Sequence, residues 1–287
     1  MFMPKRLLEE KLRRFLEEDI GQGDITTHLI IPEKTMVEAD IVVKERGVVA
    51  GIEEALVICE GLKLKAKALV SDGTQVKPKT PILRILGNAR TVLCAERTLL
   101  NMLSRMSGIA TATSSLARNI AAHKSRVACS RKTAPGLGYF DKKAVLIAGG
   151  DTHRLHLDDL VLIKDNHIRV VGNVGDAVRK ARDSVSFSKK IEVEVASARE
   201  ALESARAGAD IVMLDNFSPK KVRDAVLLLK KEGFRDTVLL EASGRITAEN
   251  IVEYARAGVD VISVGEITHS PKALDINLEV VRVTAGK

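Results

Sequence analysis

The fifteen residues HRLHLDDLVLIKDNH, positions 153–167, gather Arg154, Lys164 and three of the chain's six histidines around the apolar run LVLIK. Cations at both ends of a run that reads as a buried strand call for an anionic target. Charged or turn-forming residues also follow other apolar runs. Ser130, Arg131 and Lys132 come after RVAC (126–129), and Asp165 follows Lys164. IEVEV (191–195) carries Glu192 and Glu194, and DIVML (210–214) leads to Asp215 and Asn216. TVLLEA (237–242) contains Glu241 and precedes Ser243 and Gly244, while DVISV (260–264) precedes Gly265 and Glu266. The early runs thus supply cations, the middle ones carboxylates and the last two glycine-containing turns. Such a set could form a cationic wall, a pair of acids able to hold Mg²⁺ with substrate phosphates, and backbone N–H groups for a phosphate. Together these suit a reaction that expels pyrophosphate. No GxSxG is present and no Cys is expected near the site, so an activated Ser or Cys nucleophile is not indicated.

The elements that must position these residues alternate between β and α. Six short apolar runs, at 126–129, 160–164, 191–195, 210–214, 237–242 and 260–264, are separated mostly by helical text. SPKKVRDAVLLLKKEG predicts a helix with Ser218 as N-cap, Pro219 at its first position and Gly233 beyond its end. ARAGAD at 205 returns as ARAGVD at 255, which marks equivalent places two βα units apart. This alternation predicts a parallel sheet with helices outside it. The lack of an opening GxGxxG favours a barrel over an open dinucleotide-binding sheet. Active sites of such barrels lie at the C-terminal ends of the strands, where the residues above would meet. Plainer readings stand beside this one. Lys164 could be a charge facing a helix beyond its strand, Glu192 and Glu194 could face solvent from an edge strand, and Asp215 could merely start a turn.

Upstream, Leu7, Leu8, Leu12, Phe15 and Leu16 predict an amphipathic helix over residues 5–19. Residues 36–90 read as short strands around one short helix, EEALVICEGL, and residues 91–123 as a long helix bridging two domains. DGTQVKPKTPILRILG is similar to the hairpins of lipoyl- and biotin-carrying folds, but no modifiable Lys occupies a matching turn. The tail LDINLEVVRV could be strand or helix.

Composition narrows the partners. The chain has 287 residues, 45% of them hydrophobic and 29% charged, with net charge +7. Aromatics make up 3% and Trp is absent, so platforms for base stacking are scarce. A small anion therefore suits the charge better than nucleic acid does. Three widely spaced cysteines form no CxxC pair, which points neither to zinc nor to a disulfide framework. No apolar run approaches the ~18 residues of a membrane span, and the charged N-terminal helix is unlike a signal peptide. A cytoplasmic location is expected.

SRKTAPGLGYFDKKAV, GGDTHRLHLDDLVLIKDNH, IEVEV, VMLDN, EASGRI and VGEITHS, with GDITT and AERTLLN before them, resemble quinolinate phosphoribosyltransferases over about residues 18–270. The resemblance implies an α/β fold: an N-terminal α/β sandwich domain, residues 1–110 joined by the tail 272–287, and an incomplete TIM-like α/β barrel, residues 111–271. It implies transfer of phosphoribose from phosphoribosyl pyrophosphate to quinolinate, giving nicotinate mononucleotide, carbon dioxide and pyrophosphate, with Mg²⁺, in a homodimer or a multiple of dimers. By the same resemblance Arg131, Lys132, His153, Arg154 and Lys164 would line the quinolinate pocket, and Ser130 would be a further substrate-binding residue. Arg97 would enter from the neighbouring subunit. Glu194 and Asp215 would sit at the metal and ribose, and Ser243, Gly244 and Gly265 at the 5-phosphate. Lys132, Lys164, Glu194 and Asp215 are the expected catalytic residues. Ala134, Gly138, Thr152 and His156 depart from the family pattern, which has Thr, Arg, Asn and Gly there, and they bear on substrate preference.

Three rival readings are separable by experiment. A Schiff-base aldolase would use Lys164 covalently, which borohydride would trap. A molybdenum-transport-associated paralogue shares the fold, though the intact KDNH and EVEV elements speak against it. A non-catalytic nucleic-acid binder would rest on net charge alone.

Overall fold

The computed structural model describes residues 3–284, so positions 1–2 and 285–287 of the expected domain bounds lie outside the described residues. The chain divides into two compact units. The first takes the chain up to Ala112, with Leu146–Ala148 and the tail from Pro271. It contains α1 (Lys5–Ile20), α2 (Ile25–Ile30), β1 (Met36–Val43), β2 (Gly47–Val48), α3 (Ile52–Gly61), β3 (Lys65–Ala68), β4 (Gln75–Val76), β5 (Thr80–Asn88) and the first part of α4 (Ala89–Asn119). Leu8, Leu12 and Leu16, four residues apart, form the buried stripe of α1, which packs on α3. Leu7, read from the sequence as part of that stripe, is 49% exposed.

The main sheet of this unit is antiparallel, in the order β12-β1-β5-β3. Its last member, β12 (Ile276–Thr284), makes the ambiguous tail a strand. Ile276 pairs with Val43 and Thr284 with Met36. Flanked on both sides, β1 buries Ala39, Ile41 and Val43 completely, at 0% exposure. Arg84 stands directly opposite Asp40 and grips it with two bonds, of 2.7 and 2.9 Å.

The second unit, Thr113–Val145 with Gly149–Ser270, is the βα alternation. Its strands are β6 (Arg126–Ala128), β7 (Val161–Ile163), β8 (Ile191–Val195), β9 (Ile211–Asp215), β10 (Leu239–Ser243) and β11 (Val261–Ser263). Its helices, in chain order, are α5 (Gly138–Ile147), α6 (Asp165–Val171), α7 (Val174–Ser184), α8 (Ala198–Arg206), α9 (Pro219–Lys231), α10 (Ile251–Ala257) and α11 (Glu266–His269). The strands are all parallel, in the order β6-β11-β10-β9-β8-β7. First beside last and the rest in sequence is the order of a barrel opened at one seam, here between β6 and β7. A single bridge, Ala128 to Asp151, extends the β6 side of that seam, and the HRLHLDDL loop follows it. β8 lies between β7 and β9, so IEVEV is not an edge strand.

Local chemistry sets the helix starts. Asn173, Ser197 and Ser218 cap α7, α8 and α9 by accepting the N–H of Asp176, Glu200 and Lys221. The repeated ARAG(A/V)D segments perform one job twice. Asp210 accepts the Ile191 N–H at 2.7 Å and pairs with Arg182 at 2.7 Å. Asp260 accepts the Leu240 N–H at 2.8 Å and pairs with Arg235 at 3.0 Å. Each Arg also donates to the glycine carbonyl two residues before its Asp, Gly208 or Gly258. Both devices tie strand starts together at the N-terminal end of the sheet. Asp210→Ala should therefore leave a strand N–H without its partner and destabilise the protein by about 1–3 kcal/mol, read as a lower midpoint in urea unfolding. An unchanged midpoint would show that the Asp210 bond carries no stability.

Candidate active site

The C-terminal ends of the strands open into a cavity of about 760 Å³ within the second unit. Each wall segment arrives there for a local reason. β6 ends and the chain turns, with the Lys132 N–H bonded to the Ser130 hydroxyl, which brings Ser130, Arg131 and Lys132 to the wall. The loop after Asp151 turns sharply at His153, at φ 51°, and presents His153 and Arg154. The Asp151 carboxylate accepts the His153 N–H at 2.8 Å and holds this turn. After β7, Lys164 reaches the cavity while its N–H donates to the His167 ring at 2.9 Å, so the His of KDNH fixes the start of α6. Glu194 and Asp215 come from the ends of β8 and β9.

The turn after β10 requires glycine. Gly244 has φ +98°, and a Cβ there would lie 2.4 Å from the Asn216 side-chain oxygen. Ser243, Gly244 and Gly265 all line the cavity. Eleven of the twelve expected site residues therefore meet at one cavity. The twelfth, Arg97, is an exposed residue of α4 in the first unit and does not line it.

Charge is distributed unevenly around the wall. Among the described residues, Arg131, Lys132, Arg154 and Lys164 make no side-chain ion pair with a carboxylate, although Arg154 is only 8% exposed. Burial, then the neighbouring Arg131, lowers the Arg154 guanidinium. Cations this close and unpaired are costly unless an anion joins them. In the same cavity, burial and then the Asp215 charge raise the Glu194 carboxyl, against the pull of Lys164. Asp215 also accepts from Asn216 at 2.6 Å. Two acids that repel each other beside open cavity space fit a divalent cation, which would relieve the repulsion.

A second acidic group lies at the cavity floor. His153 Nε2 is 3.2 Å from Glu192 and 3.3 Å from Glu241, whose side chains are 0% and 2% exposed. Burial works against charge on the ring, but the bonds to Glu192 and Glu241 outweigh it and push His153 up to about 10. The three ligating atoms lie within 4.8 Å of one another, yet a metal fits poorly. The proton that these bonds hold on the ring faces the carboxylates, so Nε2 has no lone pair to offer a metal.

Two residues were misjudged or missed in the sequence. Cys129, against expectation, lines the cavity. It is nonetheless no activated nucleophile, because burial raises its thiol, a shift that Lys142 opposes without cancelling. Lys142, 2% exposed, escaped notice on α5 because a helical Lys ordinarily faces water. Its amine donates to the Thr152 carbonyl and lies 3.6 Å from the Cys129 sulfur, which anchors the turn that carries His153 and Arg154. Glu241 was legible as a strand-end residue, but its bond to His153 was not.

Comparison with known proteins identifies the family. Residues 24–107 match the N-terminal domain, and residues 109–279 the C-terminal domain, of quinolinate phosphoribosyl transferase. The chain is 48% identical to the "Probable nicotinate-nucleotide pyrophosphorylase (carboxylating)" of Methanothermobacter thermautotrophicus, over 94% of this chain and 97% of that one. It is 38% identical to the nicotinate-nucleotide pyrophosphorylase (carboxylating) of Mycobacterium leprae, over 94% and 96%. The solved nicotinate-nucleotide pyrophosphorylase of Francisella tularensis superposes with a TM-score of 0.90 at 39% identity, covering 97% of this chain and 98% of that chain. With both of its domains matched and relatives this similar along nearly the whole length, the chain belongs to the quinolinate phosphoribosyl transferase family.

Proposed function

We propose that this chain transfers phosphoribose from phosphoribosyl pyrophosphate to quinolinate, releasing pyrophosphate and carbon dioxide and forming nicotinate mononucleotide for NAD biosynthesis. The observation that carries this reading is the group of unpaired cations, Arg131, Lys132, Arg154 and Lys164, around one cavity. Quinolinate bears two adjacent carboxylates, and forked guanidinium donors bind carboxylates with two parallel hydrogen bonds. The dianion offsets the repulsion between Arg131 and Arg154, which favours its binding there.

The residues divide the reaction between them. Arg131 and Arg154 hold the dicarboxylate, with Lys132 and Lys164 adding positive charge beside it. The ring nitrogen attacks the anomeric carbon as pyrophosphate departs. That carbon becomes oxocarbenium-like, and the carboxylates of Glu194 and Asp215 stabilise it electrostatically. No general base is assigned, because the attacking pyridine nitrogen carries no proton. Ser243 and the backbone at Gly244 and Gly265 receive the 5-phosphate. Mg²⁺ held by Glu194 and Asp215 with substrate phosphates would supply charge neutralisation for the departing pyrophosphate. Once the ring nitrogen is ribosylated its positive charge stabilises the electron pair left when the adjacent carboxylate leaves. The working assembly is a cytoplasmic homodimer or a multiple of dimers, in which Arg97 completes the neighbouring subunit's quinolinate pocket.

Pyrophosphate release should require quinolinate, phosphoribosyl pyrophosphate and Mg²⁺ together, with nicotinate mononucleotide identified by mass spectrometry. Release without quinolinate would reject the reading. Arg131→Ala and Arg154→Ala should each raise the KM for quinolinate about 10- to 100-fold, the effect of losing a charged hydrogen bond worth roughly 1.5–3 kcal/mol. An unchanged KM in both would place the dicarboxylate elsewhere. Mixing Arg97→Ala with Arg154→Ala subunits should restore activity through one intact site per heterodimer, and verified heterodimers without activity would refute the shared pocket.

A further inference from the structure

Two buried carboxylates take no part in the reaction above. Glu192 and Glu241 stand on β8 and β10, the two neighbours of β9, at 0% and 2% exposure. Side chains alternate along a strand, so Glu192 shares a face with Glu194. Glu194 lines the catalytic cavity, and Glu192, one layer beneath, does not. Barrel interiors are ordinarily filled at such a level by Val, Ile and Leu. Burying carboxylates there is costly, and well-packed apolar residues would serve stability at least as well. The Oε1 of Glu241 is even left buried without a hydrogen-bond partner. These acids call for a reason other than stability.

What they share is His153. Its Nε2 lies 3.2 Å from Glu192 and 3.3 Å from Glu241, carboxylates from the strands on either side of β9. Burial disfavours a charged ring, yet the bonds to both carboxylates push His153 up to about 10, so the ring is a cation at neutral pH. The same residue makes the sharp turn of the wall, at φ 51°, a conformation that persists in a non-glycine residue only when its surroundings over-determine it. Asp151 and Lys142 secure the backbone of that turn, at the His153 N–H and the Thr152 carbonyl. Glu192 and Glu241 secure the ring. Arg154 is the next residue, so the anchored ring limits where its guanidinium can go. Glu192 also acts on Arg154 itself. Burial and the neighbouring Arg131 disfavour the charged guanidinium, whereas Glu192 favours it. Among the described residues neither carboxylate forms an ion pair with Arg154, so its donors stay free for a substrate carboxylate.

Resting on the reading of quinolinate as the substrate, we propose that Glu192 and Glu241 are positioning residues of the dicarboxylate pocket, which clamp His153 and so hold Arg154 beside Arg131 before the substrate arrives. An anionic floor keeps two like charges together without occupying their hydrogen-bond donors. A carboxylate paired directly with Arg154 would hold it as firmly but would compete with the substrate for the same fork. Quinolinate then meets both guanidinium groups in place, and less of its binding energy goes into ordering a side chain. The two acids of IEVEV thus act one layer apart, Glu194 at the reacting centre and Glu192 beneath the binding wall.

A double-mutant cycle with Arg154 tests this, since the floor acts on the substrate only through that residue. Glu192→Gln combined with Glu241→Gln keeps the shape of both side chains and removes their charge. In an otherwise wild-type protein this pair should raise the KM for quinolinate at least about tenfold, with kcat and the KM for phosphoribosyl pyrophosphate within about threefold. In Arg154→Ala protein the same pair should change the KM for quinolinate by less than about twofold. An unchanged quinolinate KM in the first background, or an equal loss in both, would overturn the proposal. A parallel rise in the KM values of both substrates would do the same, because it marks a general loss of packing. Should the double replacement prevent folding, Glu192→Gln and Glu241→Gln are taken singly through the same cycle. A selective loss of about tenfold in either then supports the clamp, and no loss in both refutes it. A wild-type protein that neither binds quinolinate nor releases pyrophosphate in its presence would instead reject quinolinate as the substrate.

Discussion

Parallel pairing of the six strands is the constraint on which the rest depends, because it sends every strand's last residue to the same side. Lys164, Glu194, Asp215 and Ser243, spread over some eighty positions, become neighbours for that reason alone. An antiparallel sheet would send alternate ends to opposite sides and divide them. Parallel strands also need crossovers, and the helices supplying these, capped by Asn173, Ser197 and Ser218, cover the outside of the sheet. The cavity is therefore a consequence of connectivity, and only its lining is a matter of chemistry.

The two ends of the sheet divide the work between stability and reactivity. At the N-terminal end, Asp210 and Asp260 are fully engaged, each with an Arg and a strand N–H. At the C-terminal end the cations lack partners and the acids repel each other. Folding must tolerate that second arrangement, and the first offsets part of its cost. Lys142 shows the same economy inside the wall. Buried beneath the His153 turn and donating to the Thr152 carbonyl, it positions Arg154 without facing the cavity.

The seam between β6 and β7 gives this barrel its particular character. Where a closed barrel would continue, the chain contributes one bridging residue, Asp151, and then the turn bearing His153 and Arg154. A regular strand alternates its side chains and could not aim two consecutive residues inward. The irregular segment does so, at the cost of a positive φ at His153. It thereby places Arg154 at the catalytic wall and His153 against Glu192 and Glu241. The opening of the barrel and the polarity of its floor have the same origin.

The sequence by itself determined the strands and their order. Apolar runs of four to six residues between helical segments are local signals, and all six appear as β6 to β11 within a residue or two of the expected bounds. The Ser218-Pro219 helix start and the repeated ARAG segments were equally local. Strand-end position then sufficed to nominate Arg131, Lys132, Lys164, Glu194 and Asp215, while Arg154, outside any strand, stood out only by its cation-rich neighbourhood and took its quinolinate role from the family resemblance. Only the tertiary structure decided what depends on a partner distant in the chain. LDINLEVVRV became a strand because β1 offers it a hydrogen-bonding edge more than two hundred residues away. Cys129 reached the cavity, Lys142 became buried, and Glu241 met His153 because packing between elements placed them, and no periodicity within a single element encodes those meetings.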